Sequence, residues 1–170
     1  MGLNVARKTI YPNIPQANPV ASIAQIEKYN NNYFSSGIYL EGRQNDTSNV
    51  VIYTNNYNFV LDSLIVTVDT GRLELEIMED STITSNGSEA LTYCLNRVQP
   101  SSPAANIFLE ANVATTGTKI FQFGGNPEYV DINSILSGTI FKNNSIYLLR
   151  IIHTGTALSN IHINFGWSEG

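Results

Sequence analysis

Two histidines, one cysteine and a short acidic run are the side chains of this sequence with chemistry beyond packing. His153 and His162 lie in late, strand-like segments. A metal site built on them would show an H-x-H or H-E-x-x-H spacing, and neither occurs, so both read as ordinary surface or interface histidines. Period two places His162 opposite its strand's apolar face, toward solvent. Cys94 sits in Tyr93-Cys94-Leu95 with no adjacent base to stabilise a thiolate, so it reads as a small packed hydrophobe. Glu74, Glu76, Glu79 and Asp80 could supply paired carboxylates for glycoside hydrolysis at the right separation. Glu74 and Glu76 are two apart, on one face of a predicted strand, and read as the solvated side of an outer strand. Asp69 and Asp131 lack the D-x-D-x-D-G loop of a calcium site. Gly124-Gly125-Asn126-Pro127 is not followed by Gly-Lys-Ser/Thr, so it predicts a turn rather than a phosphate cradle. The expectation is a protein that is not an enzyme, with no catalytic residue, no cofactor and no metal.

The elements that carry these residues are strands. Ile161, Ile163, Phe165 and Trp167 alternate with His162, Asn164, Gly166 and Ser168. Leu73, Leu75 and Ile77 alternate with Glu74, Glu76 and Met78, and Ile107, Leu109, Ala111 and Val113 with Phe108, Glu110 and Asn112. Alternation of this kind sends one set toward a core. Residues 64–68 and 146–152 are apolar on both faces and predict central or doubly covered strands. Asp69-Thr70-Gly71-Arg72, Asn86-Gly87, Thr115-Thr116-Gly117 and Asn143-Asn144 punctuate the runs. About eight or nine short strands at this spacing predict an all-β fold, a single β-sandwich of jelly-roll type, over residues 33–170. Residues 1–32 differ. Pro12, Pro15 and Pro19 among asparagines remove backbone donors and predict an extended N-terminal arm. Ile23 and Ile26 fit one face of a short helix over residues 21–29.

The chain has 170 residues, enough for one domain with a core that needs no disulfide staple. Nine basic residues against 14 acidic ones give a net charge of −5, which argues against nucleic acid and against an anionic membrane surface as partners. No apolar stretch is long enough to span a bilayer. The basic start, Met1 to Lys8, has no apolar run after it and does not read as a secretory leader. Charged residues make up only 14% of the chain, while asparagine occurs 21 times, so the surface is one of amides and hydroxyls. Such a surface suits close packing among copies or partners. Nine tyrosines serve equally well as sugar-stacking platforms, interface anchors or core.

Several short motifs recur in a fixed order. Ser85-Asn86-Gly87 precedes Cys94-Leu95-Asn96-Arg97. Thr116-Gly117-Thr118 follows, then Lys142-Asn143-Asn144-Ser145-Ile146-Tyr147-Leu148-Leu149-Arg150, and the chain ends Trp167-Ser168-Glu169-Gly170. Over roughly residues 75–170 this set resembles a family of tailed-phage virion proteins that decorate or cement the capsid. Cys94, Asn144 and Ser168 depart from the usual residues at their positions. The resemblance implies a β-sandwich on the outer surface of the capsid in the virion, made in the bacterial host cytoplasm. It implies an oligomer, expected here as a homotrimer or alternatively a dimer, bound to the major capsid protein, with no catalytic residues. Asn96 and Arg97 are the most motif-like pair, and Arg97 is expected to fork onto carboxylate or carbonyl groups that lock a loop. Tyr11, Pro12, Ile14, Pro15, Ile23 and Ile26 are the arm residues expected to reach a neighbour. Trp167 is expected in the core or at a capsid or subunit interface. The alternative expectation is a carbohydrate-binding sandwich module of a phage tail or fibre, which needs an exposed aromatic platform.

Overall fold

The computed structural model describes residues 33–170 except 44, 97–99, 125–128, 132–135, 137 and 156–157, with backbone alone at 129–131. The arm over residues 1–32 and its short helix lie outside the described residues. Fourteen strands are described: β1 (Tyr33–Gly42), β2 (Thr47–Tyr53), β3 (Phe59–Val68), β4 (Leu73–Glu79), β5 (Thr82–Ser85), β6 (Ser88–Glu89), β7 (Thr92–Cys94), β8 (Asn106–Leu109), β9 (Asn112–Thr115), β10 (Thr118–Gly124), β11 (Tyr129–Asp131), β12 (Thr139–Phe141), β13 (Ile146–His153) and β14 (Ser159–Glu169). One six-stranded sheet runs β11-β3-β14-β1-β7, with β12 also on β3; a second runs β10-β4-β13-β2-β8-β6; β5 and β9 form a separate ribbon. The two large sheets pack face to face as an all-β sandwich.

Alternation explains the packing. On β14, Ile161, Ile163, Phe165 and Trp167 are buried, while His162 and Asn164 face solvent. On β4, Leu73, Leu75 and Ile77 enter the same core. The two segments that are apolar on both faces are both central: β3 lies between β14 and the pair β11 and β12, and β13 between β4 and β2. A second, smaller core explains the apolar outer face of β13. Val51, Met78, Ala111 and Leu148 pack together with Ile83 and Val113, so the β5–β9 ribbon covers part of the second sheet.

One predicted strand is two. The alternation from Ile107 to Val113 breaks at Glu110, whose φ is 56°, in the left-handed region. β8 then pairs with β2, and β9 turns away to pair with β5. This split is one source of the difference between the fourteen described strands and the eight or nine expected.

One end of the sandwich is held by rings. Phe34 lies 5.8 Å from Trp167, which stacks on Phe59 at 5.2 Å; Phe59 stacks on Phe141 at 5.5 Å, and Phe141 on Tyr147 at 4.2 Å. The first three separations fall in the favourable range for aromatic pairs, and the Phe141–Tyr147 rings are closer still, stacked within 14° of parallel. At the far end of this series the Tyr147 hydroxyl donates to Glu79 Oε1 at 2.8 Å and accepts from the Lys142 backbone N–H at 2.9 Å. Lys142 Nζ also lies 2.8 Å from Glu79 Oε1. Burial pushes the Tyr147 phenol up to about 12, with Glu79 adding to the push, so it stays a donor at neutral pH. The bonds from Lys142 and then Tyr147 hold the Glu79 carboxyl below its ordinary value. A carboxyl lowered on folding stabilises the native state above its unfolded pKa, and that contribution is lost as pH falls through the folded value. Glu79→Gln is therefore expected to melt below the wild type at pH 7. The gap should close as pH falls below the ordinary glutamate value of 4.5. A gap that stays constant in thermal melts across that range contradicts this account.

Candidate functional site

The outer face of the second sheet is filled from within the chain. Where the ribbon ends, Gln122, Glu76, Arg150 and Asn49 lie side by side across β10, β4, β13 and β2. Glu76 is buried, and its carboxylate takes Arg150 Nη1 at 2.6 Å on one oxygen and Lys119 Nζ on the other. Lys119 also donates to Gln122 Oε1 at 3.0 Å. The expectation that Glu74 and Glu76 form the solvated side of an outer strand is corrected for Glu76. β4 is an interior strand, and two cations neutralise this carboxylate.

His153 is likewise corrected from a surface or interface position to a fully buried one. Its Nε2 lies 2.7 Å from Ser159 Oγ, and Gly71 and Gly155 let the backbone close over the ring. A Ser–His contact of this length is nucleophile–base geometry, but catalysis also needs an orienting partner and an approach for substrate. Nδ1 has no hydrogen-bond partner among the described residues, and Ser159 is buried too. The pair acts as packing between β13 and β14. Among the described residues no group of three His, Cys, Asp or Glu could hold a metal ion.

The outer face of the first sheet is different: among the described residues, no ribbon lies over it. It carries Gly37, Tyr39, Glu41, His162 and Asn164, all exposed. Tyr39 pairs with His162 across β1 and β14, and their rings meet edge to face at 5.1 Å. The Tyr39 hydroxyl donates to Asn160 Oδ1. Asn160 Nδ2 donates to Asp69 Oδ2 at 2.7 Å, and Asp69 Oδ1 lies 3.8 Å from His162 Nε2. Four side chains thus close a loop over β1, β14 and the end of β3.

At the edge of the same sheet, β7 continues the surface as an apolar stripe. Leu91, Tyr93 and Leu95 alternate along it and are 72%, 53% and 40% exposed, while Cys94 between them packs against the core. Tyr93 pairs with Ser35, and the Leu95 N–H donates to the Tyr33 carbonyl at 3.0 Å. The stripe therefore lies beside the first described residue, where residues 1–32 join the body. An exposed apolar edge strand is a surface that folded proteins ordinarily blunt with charge or cover.

Of the residues singled out from sequence, Tyr11, Pro12, Ile14, Pro15, Ile23, Ile26 and Arg97 lie outside the described residues. Asn96 is half-buried just after β7, one position beyond the stripe. Of the two places expected for Trp167, the core and an interface, the structure shows the core. The side chain is fully buried within one chain, stacked on Phe59, and its indole N–H donates to Glu169 Oε1 at 3.1 Å. Sequence reasoning missed the stripe. Leu91, Tyr93 and Leu95 show strand alternation, but alternation does not say whether the apolar face of a strand is covered. It also missed the Tyr39 loop, whose members are up to 123 positions apart. No protein-family model, curated protein or solved structure matches this chain.

Proposed function

We propose that this chain is a structural virion protein that decorates and cements a phage capsid, bridging neighbouring major capsid proteins and stabilising the expanded shell. The observation that carries the reading is the exposed Leu91, Tyr93 and Leu95 stripe on edge strand β7, beside the point where the arm joins the body. A body with few charges, an apolar edge and a Pro- and Asn-rich arm is suited to a mechanical role. The strand order, β1-β14-β3 with β11 and β12 against β2-β13-β4-β10, supports reading the sandwich as a jelly roll, an architecture of viral capsid and lectin domains. On this reading the body is a homotrimer, or alternatively a dimer, and the arm reaches across to a neighbour. Binding only the expanded lattice stabilises it by mass action, and contacts repeated within one oligomer add avidity. The protein acts on the outer surface of the capsid, with no catalytic step and no nucleic-acid or membrane partner.

The test is co-sedimentation with expanded and unexpanded shells that lack the protein, prepared from the host lysate. The expected result is selective pelleting with expanded shells and a rise in their melting temperature. A Leu91→Ser, Tyr93→Ser, Leu95→Ser variant alters exposed side chains, so its body should stay folded, but its shell affinity should fall by about tenfold or more. Binding to neither shell overturns the reading, and full binding by the triple variant removes the stripe from it.

A further inference from the structure

We propose that the loop formed by Tyr39, Asn160, Asp69 and His162 on the open face of the first sheet is a binding subsite for a neutral saccharide. This goes beyond shell binding and uses a different part of the surface from the β7 stripe.

Tyr39 is 53% exposed, yet its ring is not free to swing. Its hydroxyl is tied to Asn160 on the neighbouring strand, and its ring rests against His162. A tyrosine tethered in this way lies across the sheet, holding an aromatic surface toward solvent. Holding the ring in advance removes much of the ordering cost that a ligand would otherwise meet. Beside it, Gly37 has no side chain; a Cβ placed there would meet only Asn164 Oδ1, at 3.5 Å. Gly37 thus puts no side chain on the face beside Tyr39, opposite Asn164.

The chemistry of the rim selects the ligand. A sugar ring has one face of C–H groups, which stacks on an aromatic ring, and an edge of hydroxyls that both donate and accept. Asp69 supplies acceptors, Asn160 and Asn164 supply both donors and acceptors, and His162 supplies a donor or an acceptor according to its tautomer. Asp69 Oδ2 and the Asn160 amide are already oriented by their bond of 2.7 Å, which keeps them from collapsing onto the ligand site. The fixed charge within the loop is a carboxylate, which disfavours phosphate, sulfate and sialic acids. The group that fits is an uncharged hexose or N-acetylhexosamine.

The test is an NMR titration of the 15N-labelled full chain with maltotriose, lactose and tri-N-acetylchitotriose, with sialyllactose as the anionic control. Tryptophan fluorescence would be insensitive, because Trp167 is buried away from this face. At least one neutral probe is expected to shift the Asn160 side-chain amide and the His162 and Tyr39 backbone signals, with a Kd of about 1 mM or below. Tyr39→Ala should weaken that probe by about tenfold, whereas Tyr39→Phe, which keeps the ring but loses its tether, should weaken it less. An unchanged spectrum outside the patch shows that both variants fold. Shifts from no neutral probe at about 10 mM, or equal binding by Tyr39→Ala, overturn the proposal. Either result leaves the shell-binding test untouched.

Discussion

Trp167→Ala is expected to be the most damaging single substitution in the described body, with a loss of about 3–5 kcal/mol. The indole is fully buried between Phe34 and Phe59, so truncation removes two ring contacts and leaves a large void. It also removes one of the three donors to the buried Glu169 carboxylate among the described residues. The other two are the backbone N–H groups of Ala104 and Ala105, at 2.7 Å and 2.9 Å. The segment at 104–105 is thus fastened to the last strand through Glu169, and losing the indole loosens that attachment. For a domain of this size the expected drop in melting temperature is about 10 °C or more. Circular dichroism must read it, because Trp167 is the chain's one tryptophan and fluorescence disappears with it. Trp167→Phe should recover a substantial part of the loss by restoring the stack. A fall of less than about 2 °C for Trp167→Ala would show that the ring series does not hold this end of the sandwich.

Arg150→Met is expected to cost about 3 kcal/mol, because it removes a close partner from the buried Glu76 carboxylate. Lys119 remains, but its side chain is half-exposed and cannot by itself replace the lost bond within the sheet. The informative experiment is the pair of variants. Replacing Glu76 and Arg150 together by Met removes the buried charge along with its partner, and exchange of a whole buried pair for apolar side chains is often neutral or stabilising. Urea unfolding should therefore find the double variant more stable than Arg150→Met alone. If the double variant is as unstable as the single one, or more so, the cluster matters through its packing and not through its charge.

This cluster also shows where a sequence stops being informative. Glu74 and Glu76 were legible as neighbours on one strand face. Their strand was not legible as an interior one, because Arg150 and Lys119, which neutralise Glu76, lie 74 and 43 positions away. The same holds for Glu110. The alternation of Leu109, Ala111 and Val113 runs through it, and the break comes from a single left-handed residue that lets two half-strands join different sheets. His153 reads from sequence as a surface or interface histidine, and the approach of Gly71 and Gly155 encloses it.

Sequence alone determined the all-β class and the inward face of β14, and it marked β3 and β13 as central or doubly covered strands. The inward face follows from side-chain alternation and the central strands from runs apolar on both faces, both local properties of the extended backbone. Tertiary structure decided which faces are covered. The ribbon closes over Met78 and Leu148, while among the described residues nothing covers Tyr39 and the β7 stripe. Alternation marks a face as apolar or polar, but covering a face requires a second element brought from far along the chain, and that pairing is set by the packing of the whole sandwich.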